Sequence, residues 1–526
     1  MKKLEICLLL FIILGAFIVR LYRFNGPVAD WHSWRQADTS AVSRNFAKYG
    51  FDLLHPKFED ISNVASGLDN PKGYRFVEFP IYNFATAFLY KLFGHFNIEE
   101  WGRLVTIFSS CFSIIFIYLL LRKRRSATAG ILGALFFAFI PYSIYYGRTI
   151  LPDESMVTAS LASTYFFDKW LTKNFQFFPR SGIQLGWTIF NFQFLLALVF
   201  TALALLLKPY ALFFTLPVIY LAWERFGFGF LKKWQLWLFL ILSTLPLIFW
   251  RLWMLKYPEG IPASAWLFNG GNIRFKGAFF YWLFADRIAR LILGFWGLPL
   301  FVLGILSLDA RHPEFILGSP SPSVGKVGMP KSVSPESTRG VKVQGNKNNL
   351  FFWSFLLSAI LYLFVIARGN VQHDYYQILI IPAIVIFLAF GSEFLLVFAG
   401  KYFNRIICYF IFVICLLFMF AFGWYFVRAY FNINNPSIVV AGMAVNKLTP
   451  ANAKIIAPYG GDTSFLYQTK RQGWASFEKP LPQMIKMGAD YLVLVNPGKK
   501  DYQLGKTYKI VASTKDYILF NLRERP

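Results

Sequence analysis

Eleven apolar runs divide this sequence, at residues 4–20, 104–121, 128–146, 155–172, 187–207, 210–223, 235–254, 291–308, 350–367, 376–397 and 404–427. A helix that crosses a bilayer needs about 20 mostly apolar residues. The run at 210–223 is short, and a further stretch at 78–94 reads either as a span or as a helix beside the membrane. The pattern predicts a membrane all-α bundle of about 11 transmembrane helices.

Composition points the same way. Charged residues make up 15% of the 526 residues and hydrophobic ones 56%, against about 25% charged in a soluble globular chain. Much of the surface must therefore face lipid. A net charge of +26 would suggest nucleic acid in a soluble protein. Here Lys and Arg gather in loops between apolar runs, as membrane orientation requires, so no nucleic-acid partner is implied. Cys7, Cys111, Cys408 and Cys415 lie inside apolar runs, with neither metal spacing nor a disulfide framework. The first run follows Lys2-Lys3 and ends at Arg20 without a small-residue cleavage site. It reads as an uncleaved first span rather than a signal peptide.

Short basic loops set the orientation. With a cytoplasmic N-terminus and eleven spans, Lys2-Lys3, Arg122–Arg125, Lys232-Lys233 and Lys401 with Arg405 all fall inside. A wrong count would scatter them to both sides. The polar stretch Asp309–Asn349, rich in Ser, Pro, Gly and Lys, falls inside too and reads as a disordered cytoplasmic loop. The outside then receives a large first loop (21–103), a turn (147–154), the junction Lys208-Pro209, a loop (255–290) and a turn (368–375). Residues 1–430 form the transmembrane domain and 431–526 a small extracytoplasmic α/β domain. In the latter, β-branched runs (Ala453–Ala457, Tyr491–Val495, Lys509–Ala512, Tyr517–Leu522) alternate with Gly, Pro and Asp turns and a helical stretch near Pro482–Met487. The expectation is a multi-pass plasma-membrane protein whose active site faces outward.

Several polar clusters sit in these outer segments. The first loop opens with Asp30-Trp31-His32-Ser33-Trp34-Arg35-Gln36-Ala37-Asp38-Thr39, two carboxylates, a His and an Arg close to the first span. An amphipathic surface helix with interfacial Trp residues is the plainer account. In the turn Arg148–Glu154, Asp153 is held near the membrane surface, where it also suits a helix N-terminus. Lys208-Pro209 interrupts an apolar run. Its ammonium either snorkels or meets an anion such as a phosphate. Arg368 and His373, in the string Arg368–Tyr376, add donors on the same side, whereas His55, His95 and His312 lack such company.

Five of these motifs together resemble the C-type membrane glycosyltransferases, the superfamily of the protein O-mannosyltransferases and the lipid A aminoarabinose transferase. They are Trp34–Thr39, Glu78-Phe79-Pro80-Ile81-Tyr82, Arg148 with Pro152-Asp153, Lys208-Pro209, and His373 with Tyr375-Tyr376 ahead of Pro382. Their order and sidedness match over essentially the whole chain. One departure is that many relatives carry an adjacent Asp-Glu pair in the first loop, and this sequence has none there. In the family's architecture the first loop is extended, so 78–94 would lie along the membrane.

The resemblance implies a hexosyl or pentosyl transferase using a polyprenyl-phosphate-linked sugar, with no nucleotide sugar. The lack of a Gly-rich phosphate loop fits this. Transfer would invert the sugar, a carboxylate taking the acceptor hydroxyl proton. Asp38 is the first candidate for that base, with Asp153 sharing the role and Asp30 as substitute. Lys208, Arg148, His373 and Arg368 are candidates for the donor phosphate, whose charge needs no acid where cations meet it. Arg35, Glu78, Tyr375 and Glu154 are candidates for substrate binding. Glu78 and His32 are candidate ligands for a divalent metal, which some relatives use. The acceptor (protein, lipid or glycan) is left open. Two rival classes share the pattern: a transporter or flippase of lipid-linked sugars, and a surface-polysaccharide polymerase or ligase. A transporter would place ionisable groups near the midplane and show internal repeats; this sequence keeps its charges at span ends.

Overall fold

The computed structural model describes residues 3–174, 190–308, 335–401 and 403–526. Six helical segments among them are long and apolar enough to cross a membrane: Ile98–Arg124, Pro209–Lys232, Trp234–Met254, Asn348–Val365, Asp374–Phe398 and Arg405–Leu448. The other expected spans fold as shorter or less apolar helices. Up to Met254 the described residues hold ten α-helices: α1 (Lys3–Arg20), α2 (Ser33–Tyr49), α3 (Ile81–Phe93), α4 (Ile98–Arg124), α5 (Ala127–Phe139), α6 (Pro141–Tyr146), α7 (Asp153–Asn174), α8 (Phe192–Leu207), α9 (Leu216–Phe226) and α10 (Trp234–Met254). The run 128–146 is thus broken at Pro141, which cannot donate the backbone bond that would continue a helix. The stretch 78–94 holds α3, whose 13 residues rise only about 20 Å, too short for a bilayer.

Local chemistry explains where α4 begins and ends. The Asn97 side chain accepts from Glu100 N–H at 2.8 Å while Glu100 accepts from Asn97 N–H at 2.9 Å, a reciprocal cap that satisfies two orphan donors. Arg122, Lys123 and Arg124 fill its last turn, where cations suit the helix dipole. This basic run is neutralised by neighbours. Arg122 pairs with Glu5 at 2.9 Å, Lys123 and Arg124 with Asp168 at 2.6 and 2.7 Å, Arg124 with Glu224 at 2.9 Å, and Arg125 with Glu393 at 2.7 Å. Ion pairs therefore tie α1, α7, α9 and the helix Ile381–Glu393 together at one end of the bundle. That last helix is buried at every position, the signature of a central helix. It meets the helix Leu298–Ser307 backbone to backbone: a Cβ on Gly304 would fall 1.8 Å from the Phe387 carbonyl, and one on Gly391 1.9 Å from that of Leu300. Of the polar stretch Asp309–Asn349, residues 309–334 lie outside the described residues. From Pro335 onward the backbone is helical, in a helix that runs to Val365.

Residues beyond the helix Pro436–Leu448 build a five-stranded sheet of β1 (Ile455–Ile456), β2 (Gly473–Trp474), β3 (Tyr491–Val495), β4 (Lys509–Ser513) and β5 (Tyr517–Asn521) in the order β2-β1-β3-β5-β4. β1 lies parallel to β2 and β3, and β5 pairs antiparallel with β3 and β4. Sequence patterning anticipates every strand but β2, whose Gly473-Trp474 carries no β-branched residue. The β2 edge is occupied by the first loop. Asp60 bridges Gly473 in parallel, Ile61 N–H donates to the Gly473 carbonyl at 2.8 Å, and Gly473 N–H donates to that of Glu59 at 3.0 Å. Ile61 is buried in the same apolar cluster as Trp474, Leu492 and Phe520. Pairing of this kind removes an exposed edge.

The Asp60 carboxyl seals the junction, accepting from Ser62 N–H at 3.0 Å, the Ser62 hydroxyl at 2.8 Å and Ala475 N–H at 3.3 Å. Burial pushes it up to about 6 despite these bonds. The folded state therefore holds the proton more tightly than the unfolded chain, whose carboxyl titrates near 4. Its contribution to stability falls as pH rises from about 4 to 6. Asp60→Asn, which keeps the acceptor oxygen without the charge, should gain in Tm relative to wild type across that interval. Thermal unfolding in detergent at pH 4, 5, 6 and 7 checks this; a Tm difference that stays constant would show that Asp60 does not titrate there.

Candidate functional site

One face of α2 presents Arg35, Asp38, Thr39 and Val42, the one-turn spacing that aligns side chains on a helix. Arg35 and Asp38 line a cavity of about 510 Å³. Five further parts of the chain help close it: the segment Arg75–Glu78 ahead of α3, the residues Lys208–Tyr210 after α8, Arg251 in α10 with residues 261–268 beyond it, and the segments His373–Tyr376 and Gly461–Thr463. Backbone bonds hold the segment ahead of α3 in place, with Phe76 N–H on the Gly260 carbonyl at 2.8 Å and Phe79 N–H on that of Leu206 at 3.1 Å. Trp34, Tyr210, Trp266, Tyr375 and Tyr376 supply aromatic wall.

Most charges here are paired. Asp38 is 3% exposed; its Oδ2 accepts from Arg75 Nη2 at 2.6 Å and its Oδ1 from the Thr463 hydroxyl at 2.6 Å. Arg35 forms an ion pair with Glu78. Burial opposes ionisation of Glu78, yet the Arg35 guanidinium beside it, with Lys208 and Arg75 near, holds it below the usual carboxylate range. Lys208 is fixed in extended backbone at the end of α8, before Pro209. Its Nζ bonds Asp153, in the first turn of α7, and stands 5.5 and 5.1 Å from the ring centres of Tyr375 and Tyr376. Asp153 is fully buried and its Oδ2 has no partner. Asp60 and Asp462 have only neutral donors, and Arg251, near the end of α10, is exposed. It lines the cavity with no hydrogen-bonded or ion-paired side chain among the described residues.

The residues singled out from sequence divide accordingly. Arg35, Asp38, Glu78, Lys208, His373 and Tyr375 line the cavity. Asp153 reaches it through Lys208, whereas Glu154, buried with Oε1 unpartnered, does not line it. Asp30 and Arg148 do not line it. They pair with each other at 2.9 Å, Asp30 also accepting from Gln36 at 2.7 Å. Arg148 is therefore already neutralised, as is Asp30. Arg368 is half-buried outside the cavity, its stem packed near Gly270.

The histidines need correction as well. Burial, with His32, Arg287 and Lys208 adding repulsion and Asp374 opposing, lowers His373 to about 4. At neutral pH it is a neutral imidazole, which leaves it an N–H donor and not a cation. His32 and Glu78 are not joined as metal ligands, for Glu78 is taken by Arg35 and His32 Nε2 lies 2.7 Å from Asp374. Among the described residues no group of three His, Cys, Asp or Glu could hold a metal ion.

Arg75, Arg251, Thr463 and Asp374 escaped the sequence reading. Asp374 accepts from Trp31 Nε1 at 3.0 Å, the Tyr146 hydroxyl at 2.5 Å and the Tyr430 hydroxyl at 2.6 Å, besides His32. Arg251 carries the signal that flagged Lys208, a lone cation near the end of an apolar run. Thr463 lies in no recognisable pattern.

Residues 71–253 match the family model of the dolichyl-phosphate-mannose-protein mannosyltransferases. No curated protein sequence matches the chain. Among solved structures it is similar to ArnT from Cupriavidus metallidurans in the apo state, with 14% identity over 98% of this chain and 97% of that one and a TM-score of 0.58. ArnT bound to undecaprenyl phosphate matches with 13% identity, coverage of 99% and 98%, and a TM-score of 0.56. The oligosaccharyltransferase of Archaeoglobus fulgidus in its apo form matches with 11% identity, 96% of this chain and 70% of that one, and a TM-score of 0.57. At these identities the likeness is one of fold.

Breaking a buried ion pair by removing one partner costs about 3–5 kcal/mol, because a charge is left uncompensated. Lys208→Met and Asp153→Asn should each destabilise the protein on that scale. The double variant should lose much less than the two losses added together. Thermal unfolding of the three variants in detergent measures the coupling, and additive losses would mean the pair is not formed.

Proposed function

The chain has the fold of the C-type membrane glycosyltransferases, and on that premise we propose that it moves a sugar from a polyprenyl-phosphate carrier to an acceptor hydroxyl. The transfer takes place at the outer face of the membrane and inverts the anomeric centre. What supports the reading is one cavity that holds both a carboxylate, Asp38, and an unpaired guanidinium, Arg251. A transfer of this kind needs both groups: a base for the acceptor proton and a cation for the departing phosphate.

In the step itself, Asp38 takes the hydroxyl proton as the acceptor oxygen attacks the anomeric carbon. The bond from that carbon to the phosphate oxygen breaks, and its electron pair leaves with the carrier phosphate. Arg251 meets that charge, so no acid is required. Lys208, held by Asp153, stands at the wall beside Tyr375 and Tyr376, and Arg35 with Glu78 shapes the sugar side. Tyr375, Tyr376 and Trp34 offer flat apolar faces to the sugar ring. Mass spectrometry of glycans and glycolipids from cells with and without the protein identifies the sugar and the acceptor.

General-base catalysis contributes about a hundredfold to ten-thousandfold. Asp38→Asn should lower kcat by that order while leaving affinity for undecaprenyl phosphate intact. Arg251→Met removes a charge-assisted contact to phosphate, which corresponds to about a tenfold to hundredfold loss of donor affinity. Turnover of a polyprenyl-phosphate-linked mannose, with binding of undecaprenyl phosphate measured separately, distinguishes the two effects. Full turnover by Asp38→Asn would remove it as the base.

Sidedness is checked separately. In a cysteine-free background, a membrane-impermeant thiol reagent applied outside should modify Asp69→Cys and not Lys232→Cys. The reverse pattern would put the cavity on the wrong face for this reaction.

A further inference from the structure

The short helix Ser464–Thr469 has Thr463 at its N-cap, where a threonine oxygen ordinarily accepts from a backbone N–H two or three residues on. Thr463 makes no such bond. Asp462 accepts from Ser464 N–H instead, at 2.7 Å, and the Thr463 hydroxyl is left to point at Asp38 Oδ1, 2.6 Å away. The Trp34 carbonyl lies 3.3 Å from the same hydroxyl. A hydroxyl has one proton to give, and the short contact to an anion is the stronger. Two glycines set this geometry. Gly460 and Gly461 have φ of +63° and +84°, a left-handed conformation that glycine adopts without penalty, and they turn the chain from β1 back toward α2.

Asp38 thus has one donor on each oxygen, Arg75 on Oδ2 and Thr463 on Oδ1. A carboxylate offers about four acceptor positions, so both oxygens keep room for an incoming hydroxyl. We infer that Thr463, 425 residues downstream of Asp38, is a positioning residue for the base. It fixes the plane of the carboxylate toward the cavity and favours its ionised form, which makes the C-terminal segment part of the reaction centre. The inference rests on Asp38 being the base of the proposed transfer. The other charged groups that act on Asp38 are Arg35 on the same helix, Glu59, Asp60 and Arg75 in the first loop, and Asp462 beside Thr463. Three of these five are carboxylates that disfavour a second negative charge, so a donor to Asp38 is well used here.

Thr463→Val keeps the side-chain shape and removes the donor, while Thr463→Ser keeps the donor. In the full-length protein, turnover of polyprenyl-phosphate-linked mannose is followed against pH. A lost hydrogen bond to the charged form should move the acidic limb of kcat upward by about one pH unit in Thr463→Val. KM for the donor should not change, and Thr463→Ser should restore the wild-type limb. A limb that stays in place in Thr463→Val, or moves equally in Thr463→Ser, overturns the inference. An infrared titration of the Asp38 carboxyl, identified by its loss in Asp38→Asn, needs no substrate. The same upward shift is expected there, and its absence is decisive against Thr463. Wild-type protein that consumes no donor counts against the transferase reading and leaves the infrared titration to judge Thr463.

Discussion

Asp374 is the interaction on which the placement of the first loop depends. Its buried carboxylate gathers Trp31 and His32 from the start of that loop, Tyr146 from α6 and Tyr430 from the segment after the helix Arg405–Val427. Its own carbonyl accepts from Tyr142 at 2.6 Å. A buried carboxylate without donors would be costly, so these groups can satisfy it only by arriving together. His32 reaches it from a left-handed backbone conformation, φ +53°, which disfavours a residue with a Cβ. The contact with Asp374 offsets that cost. α2 begins one residue later, so the direction of the helix that carries Arg35 and Asp38 is set at this point.

The cavity follows the same rule that buried charges need partners. Asp38 has Arg75, Glu78 has Arg35, and Asp153 has Lys208, each partner coming from a different stretch of chain. Most of these pairs preset a field rather than await a ligand. Arg251, exposed at the cavity, has no side-chain partner among the described residues, and the buried Asp153 keeps one oxygen, Oδ2, without a donor. A ligand with its own negative charge would complete the former.

The bundle was legible in the sequence because apolar runs and basic clusters are local signals. The helix Ile381–Glu393, α4 and α10 lie within or around the runs that announced them. β3 and β5 were legible for the same reason, being β-branched runs bounded by turns. The short strand β2 was not, since two residues carry no periodicity and their pairing depends on a segment more than four hundred positions away. Among site residues, Lys208 was found by its place at the end of an apolar run, Asp38 by the polar cluster in the first loop, and Glu78 and Tyr375 by the family resemblance. Such signals give position but not partnership. They cannot tell that Arg148 is consumed by Asp30, that burial leaves His373 neutral, or that Thr463 turns its hydroxyl away from its own helix.

The β2 edge shows why the missing information is long-range. Residues 59–61 of the first loop pair with Gly473, and a Cβ at that glycine would sit 1.8 Å from the Ile455 carbonyl, so only glycine lets β1 and β2 approach. The loop thus completes the sheet. The sheet in turn supplies Gly461, Asp462 and Thr463 to the cavity that the loop begins with Asp38. Neither part forms its side of the site alone. The cavity is therefore assembled by a long-range closure whose entropic cost grows only slowly with the length of chain enclosed. It is compensated by burial of Ile61 among Trp474, Leu492 and Phe520 and by the bonds that converge on Asp60. Because the same residues join the two parts and wall the site, changes that loosen the junction should reach Asp38 through Thr463 without touching a substrate-binding group.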